Sequence, residues 1–184
     1  MIRRLFSAWI DRFEKTWSYD ASYFRRMLAA SPSSVLKFSF ASGMVQRHDA
    51  PAAALAATGI AGTLAEDCGP CLQLTVDMAS RSGVDPGVLR AILARNEAAM
   101  GEDAATAWRF ASAVLEKRLD EADAARDAVL ARWGEKGLVA LSLTLTTARM
   151  YPTVKYALGY GRACSRVTVA GETAPAVRTP ALAA

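Results

Sequence analysis

Apolar side chains recur at three- and four-residue intervals through most of this chain, and that spacing is typical of amphipathic helices. Trp108, Ala111 and Leu115 illustrate it, with charged residues on the opposite side. Residues 135–150 carry three β-branched threonines, so a buried strand competes there, although the length of the segment favours a helix. The pattern therefore predicts an all-α domain.

Helix starts and stops are marked by capping residues, prolines and glycines. Asp85 before Pro86 is typical of a helix start, and Gly83 and Gly134 are typical of helix ends. Pro152 is expected to open a last short helix. The predicted helices span residues 1–19, 32–43, 51–65, 68–82, 86–95, 103–117, 121–133, 135–150 and 152–158.

The pattern predicts one domain, residues 1–166, followed by a loose tail, residues 167–184, in which no periodicity is evident. Helix 1–19 carries an apolar stripe from Ile2 to Trp17 that suits a membrane surface, a docking partner or an oligomer arm. Because its other face mixes both charge signs, packing on its own subunit or on a second copy is favoured. The alanine-rich apolar fraction of 52% also favours a homo-oligomer.

Charge and hydropathy exclude several classes of protein. The net charge of +4 is spread among interleaved acids and bases without a basic run, which argues against nucleic acid as a partner. No stretch reaches the roughly 20 apolar residues of a membrane span, and the N-terminus lacks a secretory apolar core. These features predict a cytoplasmic protein without a membrane span.

The sequence Cys68-Gly-Pro-Cys71 opens one of the predicted helices. The free amides and positive dipole end of a first turn stabilise a thiolate and lower its pKa. A second cysteine one turn later can then resolve a mixed disulfide. Proline is tolerated in a first turn because its missing amide has no helical partner there. The pair therefore predicts redox chemistry at Cys68 and Cys71.

The pair has two other possible interpretations, a metal site and two inert thiols. A structural zinc site needs four ligands, and only Cys164 and His48 remain as soft ligands, so no metal is predicted. Two inert buried thiols remain an alternative. The redox interpretation requires no cofactor beyond the reactive disulfide itself. Outside the pair, Cys164 is expected to be a packed or semi-exposed thiol and His48 a surface residue.

Two acids precede the pair. Asp67 is expected to cap the helix, whereas Glu66 is either a first-turn acid or a general acid or base for a cysteine. Arg149 and Lys155 are expected on a solvated face rather than at a substrate rim.

The run EDCGPCLQLTVDMASRSGVDPGVLRAIL, with the later TAWRFASAVL, resembles the alkylhydroperoxidase D-like family, also called the carboxymuconolactone decarboxylase superfamily. The resemblance covers residues 50–164. It implies an all-helical bundle, usually homo-oligomeric, whose redox branch reduces hydroperoxides or relays electrons through its CxxC. It also implies a thiol or lipoyl-type electron donor.

The relay residues of that branch are missing from this chain. Its histidine falls at Thr75 and its glutamate at Ala56, and the spacer Gly69-Pro70 contains no histidine. Glu66, or a water held by Gln73 or Thr75, is a candidate substitute. Cys68, at the helix start, is the expected attacking thiolate, although the family prototype gives the second cysteine a large role.

These features predict a thiol-disulfide or hydroperoxide reductase with Cys68, Cys71 and Glu66 as site residues. A non-catalytic oligomeric scaffold of the same fold and a lyase or isomerase of the carboxymuconolactone decarboxylase type are the alternatives.

Overall fold

The computed structural model describes residues 2–43, 48–161 and 166–176, and these are mostly helical, as the periodicity predicts. A 3-10 turn, Glu97–Ala99, precedes α7. The helices are α1 (Ile2–Trp17), α2 (Ser22–Ala30), α3 (Pro32–Ser42), α4 (Ala52–Ala65), α5 (Gly69–Arg81), α6 (Pro86–Leu93), α7 (Glu102–Leu115) and α8 (Leu119–Ala157).

Helix α4 lies at the centre of the main core. It packs against α5, α7 and α8, and it is buried over most of its length. Its small residues allow this close approach. A Cβ at Gly62 would meet the Ala148 Cβ at 3.0 Å and Leu145 Cδ1 at 3.3 Å, so a larger residue would push α8 away.

The segment 119–157 is a single helical run with a break at Gly134. Gly134 has φ 64° and ψ −168°, a conformation that is almost exclusive to glycine. The helix end that the sequence predicts at Gly134 is therefore observed as a break within the run. Helix rather than strand is observed for 135–150, where the Thr144 and Thr146 hydroxyls donate to carbonyls four residues earlier. The prediction of a separate helix from Pro152 is wrong, because the helix continues through this proline with one backbone donor missing.

The prediction of a loose tail is wrong for residues 167–176. Strands β1 (Arg166–Val169) and β2 (Glu172–Pro175) form an antiparallel hairpin, which packs on α5 and α6. Val167, Val169 and Ala174 are buried in the main core, so the alternation of apolar and polar residues was a strand signal. Residues 177–184 lie outside the described residues.

Helices α1 to α3 build a second apolar cluster. Ile10 of α1 and Phe24 of α2 are buried in it, and Arg25 of α2 pairs with Asp11 and Glu14 of α1. Tyr151 of α8 packs against the same cluster. Helix α1 therefore packs on its own subunit, which was one of the predicted outcomes for the apolar stripe.

Candidate active site

The cysteine pair lies at the N-terminal end of α5, as predicted. Cys68 is the N-cap residue, with φ −102° and ψ 95°, and Cys71 lies in the first turn. The two are joined as a disulfide with their Cα atoms 5.3 Å apart. Pro70 occupies the first turn, where its missing amide leaves no helical bond unmade. The structure therefore places the two cysteines as a bonded pair at the start of a helix.

A cavity of about 400 Å³ adjoins the second cysteine. Cys71 lines it, whereas Cys68 does not and is only 1% exposed. Much of the wall is aromatic and comes from α1 and α2, the part of the chain that precedes the family resemblance. A small molecule that enters this cavity meets Cys71 rather than Cys68.

A tyrosine lies beside Cys71, and a lysine lies beside that tyrosine. The Tyr19 hydroxyl lies 3.8 Å from Cys71 Sγ, and it is the donor because a disulfide sulfur carries no proton. Lys155 Nζ donates to the Tyr19 hydroxyl over 3.2 Å. The ammonium also lies 4.6 Å from the centre of the Tyr19 ring and 5.4 Å from that of Tyr23, within the range of cation–π attraction. Lys155 is only 2% exposed, so the expectation of a solvated face is wrong for it.

Burial governs the protonation of the tyrosines. It raises the pKa of Tyr19 to about 12 and also raises the pKa of Tyr23, because both phenolates would lose their water. Tyr19 therefore stays protonated at neutral pH. It can donate to a thiolate at Cys71 or to an oxygen that develops charge nearby.

Sequence reasoning did not identify Tyr19, and it misplaced Lys155. A signal for Lys155 was available, since it continues the buried helical face of Leu141, Leu145 and Pro152 at intervals of one or two helical turns. Tyr19 follows the last turn of α1 and carries no comparable signal.

The two acids before the pair have other partners. Glu66 accepts a 2.6 Å hydrogen bond from Arg149 Nε, and it is not among the residues that line the cavity. Its role as an acid or base stays a prediction. The prediction that Asp67 caps α5 is wrong, because Cys68 takes the N-cap position and no side-chain cap bond forms.

The positions expected for the family's relay face the same cavity. Thr75 and Ala56 both line it, together with Cys71. Thr75 Oγ1 donates to the Cys71 carbonyl over 2.9 Å. Gln73 is engaged elsewhere, because its amide donates to the Thr168 carbonyl and accepts from the Thr168 amide.

The remaining candidate residues lie apart from this cavity. His48 is exposed, as predicted, and Cys164 lies outside the described residues. Within residues 2–43, 48–161 and 166–176, no three His, Cys, Asp or Glu side chains are grouped as metal ligands. None of the helices in those ranges is both long enough and apolar enough to cross a bilayer.

Comparison of the chain with models of known families, with curated proteins and with solved structures found no match. The resemblance to the alkylhydroperoxidase D-like family therefore stays a prediction that rests on the residues quoted above.

Proposed function

We propose that this chain is a thiol-disulfide or hydroperoxide reductase that acts through Cys68 and Cys71. The observation that carries the proposal is the position of Cys71, which is bonded to Cys68 at a helix N-terminus and faces a cavity. The family resemblance points to the same chemistry. In this proposal Tyr19 and Lys155 take the place of the missing histidine and glutamate.

The position of Cys71 in the cavity wall favours it as the attacking thiolate. In the reduced protein, its thiolate attacks the outer oxygen of a hydroperoxide, so that an S–O bond forms and the O–O bond breaks. The alkoxide that leaves takes a proton from Tyr19, because an alkoxide is a stronger base than a phenolate. Lys155 stabilises the charge on the tyrosine oxygen during the transfer.

Cys68 completes the cycle. Its sulfur attacks the sulfur of the Cys71 sulfenic acid, so that the S–S bond forms and the S–O bond breaks, and the Cys68 proton leaves with the hydroxyl group as water. The proton that Cys71 released to solvent when it ionised is taken up again by the tyrosine oxygen. Two thiols and one hydroperoxide thus become one disulfide, one alcohol and one water. An external thiol or lipoyl-type dithiol resets the pair by exchange, which requires a reducing compartment such as the cytoplasm.

The test is the oxidation of the reduced protein by one equivalent of tert-butyl hydroperoxide. We expect Cys68 and Cys71 to become resistant to alkylation and the intact mass to fall by two hydrogens. In Cys68→Ser, dimedone should trap a sulfenic acid at Cys71, and Cys71→Ser should not react. Cys164→Ser is the matched control and should behave as wild type.

If both thiols of the pair remain alkylatable after this treatment and after treatment with an oxidised dithiol, the reductase proposal is wrong. The scaffold alternative then gains support if the double serine variant retains the assembly and thermal stability of the wild type.

A further inference from the structure

The walls of the cavity beside Cys71 differ in chemistry. One wall is aromatic and includes Trp9, Phe13 and Phe24. The Trp9 ring stacks on that of Phe13 and meets that of Phe24 edge to face. The lining also includes small residues of α4 and α8, such as Gly59 and Ala148. A lining of rings and small side chains suits an aromatic ligand. A volume of about 400 Å³ is within the range of small-molecule sites.

The lining contains no Asp, Glu, Lys, Arg or His among the described residues. A charged ligand would lose its hydration in such a cavity without gaining a partner of opposite sign in the wall. The cavity therefore favours a neutral molecule.

One hydroxyl in the wall lacks a hydrogen bond. Thr147 is 7% exposed, and its Oγ1 is buried with no partner among the residues that the structure describes. Thr144, one turn earlier in the same wall, donates instead to the Ala140 carbonyl over 2.8 Å. A buried hydroxyl without a partner is costly. Thr147 lines the cavity, and rotation about χ1 is the movement that would bring its Oγ1 to a ligand oxygen there.

We infer that the cavity binds a neutral aromatic molecule with one hydroxyl or carbonyl oxygen, which pairs with Thr147 Oγ1. The hydroperoxide of such a molecule, a neutral aromatic hydroperoxide, is the substrate class of the site, and this identification rests on the proposed function because it takes the cavity as the route to Cys71. Binding itself does not depend on the redox state of the pair.

The test measures binding of 2-naphthol, naphthalene and 2-naphthoate by equilibrium dialysis against the Cys68→Ser/Cys71→Ser protein. We expect 2-naphthol to bind more tightly than naphthalene, and 2-naphthoate to bind at least tenfold more weakly than 2-naphthol. Thr147→Val should weaken 2-naphthol binding about three- to tenfold, the effect of one hydrogen bond, and leave naphthalene unchanged.

Thr144→Val is the matched control, because its hydroxyl is already bonded; it should affect 2-naphthol and naphthalene equally. Thr147→Ser should retain the preference for 2-naphthol. Thr147→Val should also unfold at or above the wild-type temperature, since no bond is lost in the free protein.

Equal loss of 2-naphthol and naphthalene in Thr147→Val, tighter binding of 2-naphthoate, or no binding of any of the three would overturn the inference. Because the binding protein lacks both thiols, such a failure is distinct from a failure of the reductase proposal. Binding without peroxide-driven disulfide formation would uphold the aromatic site and refute the reductase.

Discussion

Lys155 places its amine group 3.2 Å from the Tyr19 hydroxyl oxygen, and only 2% of the residue is exposed. An opposite charge near a thiolate favours the ionised form, and the effect is larger in a buried site than at a surface. Arg149, on the same helix, is paired instead with Glu66. Lys155 and Arg149 therefore provide a direct comparison between the tyrosine relay and the acid suggested by the sequence.

Replacing Lys155 with methionine should raise the pKa of Cys71 in the reduced Cys68→Ser protein, because the thiolate loses a positive charge that a protonated Lys155 holds next to Tyr19. The pH dependence of alkylation at Cys71, followed by peptide mass, measures this shift. Arg149→Met is the control and should leave the midpoint unchanged. Equal midpoints of Cys71 alkylation in the two variants would contradict the relay through Tyr19 and Lys155. A shifted midpoint in Arg149→Met alone would favour Glu66 as the acid or base.

At the scale of elements, the side chain of Gln73 holds the hairpin β1–β2 to α5 by making the two backbone hydrogen bonds that a neighbouring strand would make. Gln73 Nε2 donates to the Thr168 carbonyl over 2.9 Å, and Gln73 Oε1 accepts from the Thr168 amide over 2.7 Å. Both backbone groups of one strand residue are thereby satisfied by a helix. The hairpin then buries Val167 and Val169 in the main core.

Replacing Gln73 with alanine should weaken this attachment by about 1 kcal/mol, since exposed backbone groups can bond to water instead. Amide hydrogen exchange in residues 166–176 should become about fivefold faster. Thr168→Val keeps both backbone groups and should exchange at the wild-type rate. Unchanged exchange in Gln73→Ala would show that burial of the two valines alone holds the hairpin.

At the scale of the whole molecule, the first three helices leave large apolar side chains in water. Leu5 and Leu36 are more than half exposed, and Phe40 is 82% exposed. A domain that already buries its own core and still exposes large apolar side chains is expected to associate with another surface, because association removes those side chains from water. Together with the family resemblance, they support the proposal of a homo-oligomer.

Sedimentation velocity on the wild-type protein should show a species larger than the monomer. The double variant Leu5→Lys/Phe40→Lys should shift it towards the monomer, because charged side chains cannot be buried in an apolar interface without partners. Leu119→Lys changes another exposed leucine, at the start of α8, and should leave the assembly intact. A wild-type monomer at 100 µM would contradict this expectation.

Local features of the chain could be predicted because their causes lie within a few residues. The Cys68–Cys71 pair takes its position from the helix that begins beside it, and the break at Gly134 follows from a conformation that other residues avoid. Helices are local in the same sense, since each backbone bond joins residues four apart. The hairpin was missed because its signal is only a few residues long, although its burial is decided by a distant helix.

The composition of the site could be learned only from the tertiary structure. Tyr19 contacts Cys71 across 52 residues of sequence, and Lys155 contacts Tyr19 across 136. No local spacing encodes such meetings, because they arise when α1, α2 and α8 pack together around the N-terminal end of α5. The chain's own sequence thus predicted the position of the cysteine pair at a helix start, whereas packing decided which of the two cysteines faces a cavity and which groups surround it.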